Sequence, residues 1–415
     1  MPTKLNKEVI LKVLGTLLTV ILLGAMFYWR ATQNFNAKNQ HPDDHRSNFF
    51  TFWLAGHMVL NGEDPYNEAQ YLAGHDEFNV NWRPNKIFPY PLPLSLLMIP
   101  LGALPLSTAY FALQYITQII IAVTMYALLS RWQDPAYTRL LVPLMAFFLF
   151  FSPVLLTLQV GSVGALALLI MLISMLLLEK EKSLAAGVVL SLTILKPPQG
   201  LTILLLAGIW LFARKDWKVI QGIIYGGLGI LIVGMIQNPL WVIQFGKASQ
   251  AVMDRTQGIQ SNVWAYAYIA CDGASPCATL LGGFGALILL GLGGFFLWRN
   301  HARLTAWDAF NIIIPIGFVS TVYLWVYDQI LYIIPIVWIV GSLIERRKSY
   351  IFAFIFLIVL AVAASSAMIH QAYTLEDTWN IGTSIVVLVM VLWLYYLNQI
   401  FPIEKDIPNL EGKQP

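Results

Sequence analysis

Three polar residues stand where long apolar stretches break: Gln159, Lys196 and Asp328. A lysine or aspartate at the edge of a bilayer is costly to hold there, which makes it a functional candidate by default. An ammonium group can hold a phosphate, a carboxylate can orient a hydroxyl, and an amide can donate to one. A second polar group lies upstream, where His41, Asp43, Asp44, His45 and Arg46 precede Asn48. Asp43 and Asp44 are candidate proton acceptors. Two histidines in one five-residue loop fall short of a full metal-ligand set, so no metal is expected.

The elements that must position these groups are membrane-spanning. The chain has 415 residues, 58% hydrophobic and 11% charged, with a mean hydropathy of +0.67. That composition marks a polytopic membrane protein rather than a soluble globule. The net charge of +3 is small and its basic residues sit in short loops, which argues for topology and against nucleic-acid binding. Basic clusters at Arg131/Arg139, Lys180/Lys182, Arg214–Lys215–Lys218, Arg299/Arg303 and Arg346–Arg347–Lys348 belong on the cytoplasmic side.

Spans then fall near 13–29, 107–130, 140–157, 161–178, 184–196, 199–213, 218–236, 277–298, 308–326, 329–345, 350–368 and 381–400, about twelve in all. Both termini are cytoplasmic in this scheme, and Gln159, Lys196 and Asp328 share the outer face with the Asp43–Asn48 loop. The first stretch follows Lys4, Lys7 and Lys12 with no small-residue cleavage site after it, so it reads as a retained anchor. The outer loops are 30–88, 237–276 and 369–380.

Within the first of them, Ser47 to Leu60 is rich in aromatics and reads as an amphipathic stretch lying in the headgroup plane. Phe88 to Pro105 is apolar but broken by five prolines, and reads as interfacial or re-entrant on the outer side. There is no repeat or soluble insertion, so residues 1–415 form one domain, with 30–106 as the first outer loop and its interfacial helices. Cys271 and Cys277 share one loop; a disulfide and two free thiols both fit.

The strings Ser47–Gly56, Gly62-Glu63-Asp64-Pro65-Tyr66, Phe88–Pro93, Gln159-Val160-Gly161-Ser162 and Leu195-Lys196-Pro197-Pro198 resemble, in order and spacing, the membrane mannosyltransferases of glycosyltransferase family 87. The likeness runs to about Lys218 and returns at Tyr327-Asp328. It implies an all-α integral membrane protein with a GT-C-like bundle of about 12 transmembrane helices and a juxtamembrane helix in the outer loop. It also implies inverting transfer of a sugar, mannose in this family, from a polyprenyl-phosphate donor to an extracytoplasmic lipid or glycan acceptor. The setting is a bacterial plasma membrane.

In the family an Asp heads an Asp-Phe-x-x-aromatic string within the first of these stretches and is the expected base. Here Asn48 stands at that position, and an amide is no base near neutral pH. Asp44 or Asp43 then becomes the candidate substitute. Lys196 is expected to hold the donor phosphate, since it follows an apolar span that Pro197–Pro198 end. Gln159, Asp328 and Tyr327 are expected at the sugar or acceptor, with Asn262 and the stacking aromatic Trp264 from the long outer loop. No Asp-x-Asp string lies in the outer loops, which favours a lipid monophosphate donor with no metal or other cofactor. Two alternatives stand beside this reading: a transporter of lipid-linked sugar, and a silent glycolipid-binding homologue explained by Asn48.

Overall fold

A computed structural model describes residues 7–40, 48–80, 83, 85–132, 140–347 and 350–400, those of 7–13, 34–40, 346–347 and 398–400 by backbone alone. The described residues form α-helices joined by short 3₁₀ turns. The first six are α1 (Lys7–Gln40), α2 (Asn48–Leu60), α3 (Glu68–Glu77), α4 (Leu92–Gly102), α5 (Leu106–Leu129) and α6 (Leu141–Phe150). The next six are α7 (Ser152–Val160), α8 (Gly164–Glu179), α9 (Ser183–Ser191), α10 (Pro197–Arg214), α11 (Trp217–Gln237) and α12 (Trp241–Thr256). The last six are α13 (Val263–Ala270), α14 (Ser275–Arg299), α15 (Ala306–Ser320), α16 (Ile333–Arg347), α17 (Tyr350–Thr374) and α18 (Ile381–Ile400).

Seven segments are long and apolar enough to cross a membrane, and the pair α6–α7, bent by 67°, raises this to eight. Of the twelve expected segments, eight meet that test; α8, α9 with its 3₁₀ turn, α10 and α15 do not, and α15 ends at Ser320, short of the expected 326. Apolar side chains on the outward faces of α1, α11, α14 and α17 are exposed, among them Leu18, Ile236, Leu280 and Ile351. A soluble surface rarely carries so much contiguous apolar area, and lipid is the natural solvent for it. The stretch Val326–Glu345, by contrast, is buried almost throughout and forms the axis of the bundle.

The bundle has two chemically distinct ends. At one, Arg131 pairs with Glu179 and lies over the Trp307 ring at 3.9 Å, and Arg214 Nη1 donates to the Leu304 carbonyl at 3.2 Å. The other end gathers α2, the tip of α7, the α9–α10 junction and the segment before α16. There Thr157 Oγ1 donates to the Tyr327 carbonyl at 2.7 Å, and the Val326 N–H donates to Asp377 Oδ2 at 2.9 Å.

Two expectations change. The aromatics of α2 do not form one face of a surface helix. Phe49, Phe50, Phe52, Trp53 and Met58 are all buried, wrapped by α3, α4 and α5. The close approach rests on glycine: a Cβ on Gly56 would sit 2.3 Å from the Met98 carbonyl, and one on Gly102 2.3 Å from the His57 nitrogen. Loop 237–276 is also mostly helical, holding the polar-faced α12 and the short α13. Cys271 and Cys277 are disulfide-bonded, with Cα atoms 5.8 Å apart, and tie the end of α13 to the first turn of α14.

Candidate active site

Lys196 sits at a discontinuity. A 3₁₀ turn, Leu192–Leu195, runs into it, and Pro197–Pro198 occupy the first turn of α10, where a missing N–H costs nothing. The prolines therefore start a helix rather than merely ending one, and they pin the lysine between two helical axes. Its ammonium group pairs with Asp328. The lysine side chain is 11% exposed and that of the aspartate 1%, so this is a buried pair. Two ions out of water need further hydrogen bonds to offset desolvation. Asp328 Oδ2 obtains one from the Trp325 N–H at 3.1 Å. Lys196 Nζ also lies 5.4 Å from the centre of the Tyr327 ring, within cation–π range.

Above this pair opens a cavity of about 350 Å³. Lys196, Asn48, Tyr90 and Tyr327 line one side, and Phe245, Val252, Met253 and Arg255 of α12 line the other. Asn48, at the N-terminus of α2, faces this cavity together with Tyr327. Arg255 Nη2 donates to Asn85 Oδ1 at 2.6 Å and its Nε to the Ala251 carbonyl at 3.1 Å, which holds the guanidinium at the cavity edge. Tyr323 also lines the wall, and burial pushes both its hydroxyl and that of Tyr90 well above the usual phenol range. Both stay protonated donors at any physiological pH. Arg255, and Lys196 already paired with Asp328, stand beside phenolic donors and apolar side chains, a lining whose chemistry suits an anionic group.

The comparison with known families decides what class of protein carries this cavity. A family model described as glycosyltransferase family 87 matches residues 88–321. That is more than half of the 415 residues. The chain belongs to glycosyltransferase family 87. No curated protein and no solved structure matches it. As a family 87 member it is a glycosyltransferase, and its apolar helices make it a multi-pass membrane protein. Lys196, Arg255, Asn262 and Trp264 fall inside the matched region; Asn48, Tyr327 and Asp328 fall outside it.

In this family 87 protein the structure brings together Asn48, Lys196, Tyr327 and Asp328, which are far apart in sequence. Gln159 stays out: its side chain is exposed, and its carbonyl accepts from Tyr110 Oη, away from the cavity, at 3.3 Å. Asn262 and Trp264 line a different cavity, behind α12. Asn262 Oδ1 caps α13 by accepting from the Ala265 N–H at 2.9 Å, and Trp264 Nε1 donates to the Ser320 carbonyl at 3.1 Å. Asp43 and Asp44, with His41 and His45, lie outside the described residues. Sequence reasoning missed Arg255. Its signal was available: a basic residue in an outer loop opposes the positive-inside bias just as Lys196 does.

Proposed function

We propose that this protein transfers a sugar, mannose on the family likeness, from a polyprenyl phosphate to an extracytoplasmic lipid or glycan acceptor, with inversion and without a metal. The supporting observation is that Lys196 and Arg255 line one cavity together with aromatic and apolar side chains and the polar Asn48, Thr51, Asn85, Gln199, Ser249 and Thr256. In this reading, of GT-C type, the cations and the Tyr90 and Tyr323 hydroxyls hold the lipid phosphate. The acceptor hydroxyl oxygen attacks the anomeric carbon, the bond from that carbon to the phosphate oxygen breaks, and polyprenyl phosphate leaves. The acceptor's proton passes to a carboxylate, Asp44 or Asp43. Such a base contributes about 10²–10⁴-fold, and charge stabilisation at the leaving phosphate about 10²–10³ per donor. The site faces the exterior of a bacterial plasma membrane, with both termini inside.

Purified protein in nanodiscs, given radiolabelled polyprenyl-phosphate mannose and membrane acceptors, tests this. Arg255→Gln is the cleaner variant, because Lys196→Met leaves Asp328 buried without its partner, at a cost of about 3–5 kcal/mol. Arg255→Gln is expected to lower label transfer by about 10²-fold, and replacing by Ala whichever of Asp44 and Asp43 is the base to lower it by about 10²–10⁴-fold. Transfer indifferent to Arg255→Gln and Lys196→Met alike removes the cavity from the mechanism. One observation favours a second reading: Asn48, which the family likeness sets where a base is expected, lines this same cavity. A silent binder would show no transfer as wild type and gain it in Asn48→Asp.

A further inference from the structure

Behind α12 lies a second cavity, of about 510 Å³. It shares only Met253 and Thr256 with the first, so the last turns of α12 form a partition between them. Chemistry divides sharply across that partition. Arg255 points to the first cavity, and its neighbour Asp254 lines the second. The second is walled by Gln250, Gln257, Asn262, Trp264 and Tyr268, and among the described residues no Lys, Arg or His lines it. A phosphate there would meet a carboxylate and no cation. Amides and a carboxylate around two aromatic rings instead suit a neutral ligand dense in hydroxyls, with apolar ring faces to stack on.

The walls are built rather than incidental. Trp264 is fixed by its bond to Ser320 and by Gly282, where a Cβ would come within 2.8 Å of the indole. Tyr268 lies against Gly258 and Gly273, both at positive φ; a Cβ on Gly258 would fall 2.6 Å from the phenol ring. The Cys271–Cys277 disulfide joins α13, which carries Trp264 and Tyr268, to the turn of α14 that carries Ala278 and Thr279 on the same wall.

We infer that this second cavity binds a neutral carbohydrate portion of the acceptor remote from the reacting hydroxyl, the reacting end reaching the phosphate-binding cavity past the last turn of α12, where Met253 and Thr256 line both. The inference rests on the proposed transfer reaction and adds where the acceptor sits and what it is made of. It is tested on the full-length protein in nanodiscs by ligand-observed NMR with a panel of neutral disaccharides, among them α-linked mannobiose, maltose and cellobiose, and separately with citronellyl phosphate. The expected result is that Gln250→Leu/Gln257→Leu weakens disaccharide binding roughly tenfold, about 1.4 kcal/mol, and leaves citronellyl phosphate within about twofold. Arg255→Gln should do the converse. Lack of binding by every disaccharide overturns the inference, as does binding indifferent to the glutamine variants or displaced by citronellyl phosphate. Failure of citronellyl phosphate to depend on Arg255 would instead strike the donor site and leave this cavity's result standing.

Discussion

Asp377 shows how much one side chain's surroundings decide at this site. It is fully buried, its Oδ2 accepts from Val326 N–H, and its Oδ1 has no hydrogen-bond partner. Burial pushes its carboxyl up to about 7, the Val326 N–H pulls against that, and the charge of Asp328 pushes in the same direction as burial. The folded value exceeds the unfolded one, so the native state binds this proton more tightly than the unfolded chain. Asp377 therefore supports stability fully below about pH 4, and that support is lost as pH rises through about 7. Asp377→Asn keeps the hydrogen bond from Val326 and removes the titration. The Tm of the wild type in detergent should fall more steeply than that of the variant between about pH 4 and 7; parallel profiles would show that Asp377 carries no such load. The same segment supports the Lys196–Asp328 pair, so the electrostatics of the site and the fit of its backbone are one problem.

At the scale of elements, glycines set how closely helices approach. In α9 and α11 a Cβ on Gly187 would lie 2.0 Å from the Val219 carbonyl, and one on Gly222 2.2 Å from the Leu184 carbonyl. Backbone meets backbone there, which is how helices associate where lipid removes the hydrophobic drive between them. Gly222→Ala should push the pair apart and cost about 1–3 kcal/mol. Gly229→Ala on the same helix, with nothing within 4 Å of its Cβ, is the control and should be neutral or slightly stabilising. Unfolding followed by scanning fluorimetry in one detergent compares them, and equal effects would discount the crossing. α9 leads directly through its 3₁₀ turn into Lys196, so this crossing also positions the ammonium group.

For the molecule as a whole, the arginine-rich end and the cavity-bearing end must lie on opposite sides of the membrane. Gln257 is exposed beside the cavities and Lys180 is exposed at the basic end. The described cysteines are paired, so an introduced one is not masked by a native thiol. With an impermeant maleimide on intact cells, Gln257→Cys should label and Lys180→Cys should label only after permeabilisation. The reverse pattern would place the cavities in the cytoplasm and end the lipid-donor reading.

Hydropathy made the helical, membrane-embedded character of this chain legible, because apolar length is a local property that each segment carries alone. The cost of a membrane lysine singled out Lys196 and Asp328 in the same way. What local pattern could not carry was who meets whom. The aromatics of α2 satisfy protein and lipid equally well, so their sequence reads as a surface helix until α3, α4 and α5 are seen to cover them. Gln159 looks equivalent to Lys196 in sequence, yet the direction of one helix tip turns it outward. Arg255, the partition formed by α12, the two cavities and the Cys271–Cys277 bond all depend on contacts between segments distant in the chain or on the path of a loop. Apolar burial chooses the elements; only their mutual packing chooses which charges face the same space.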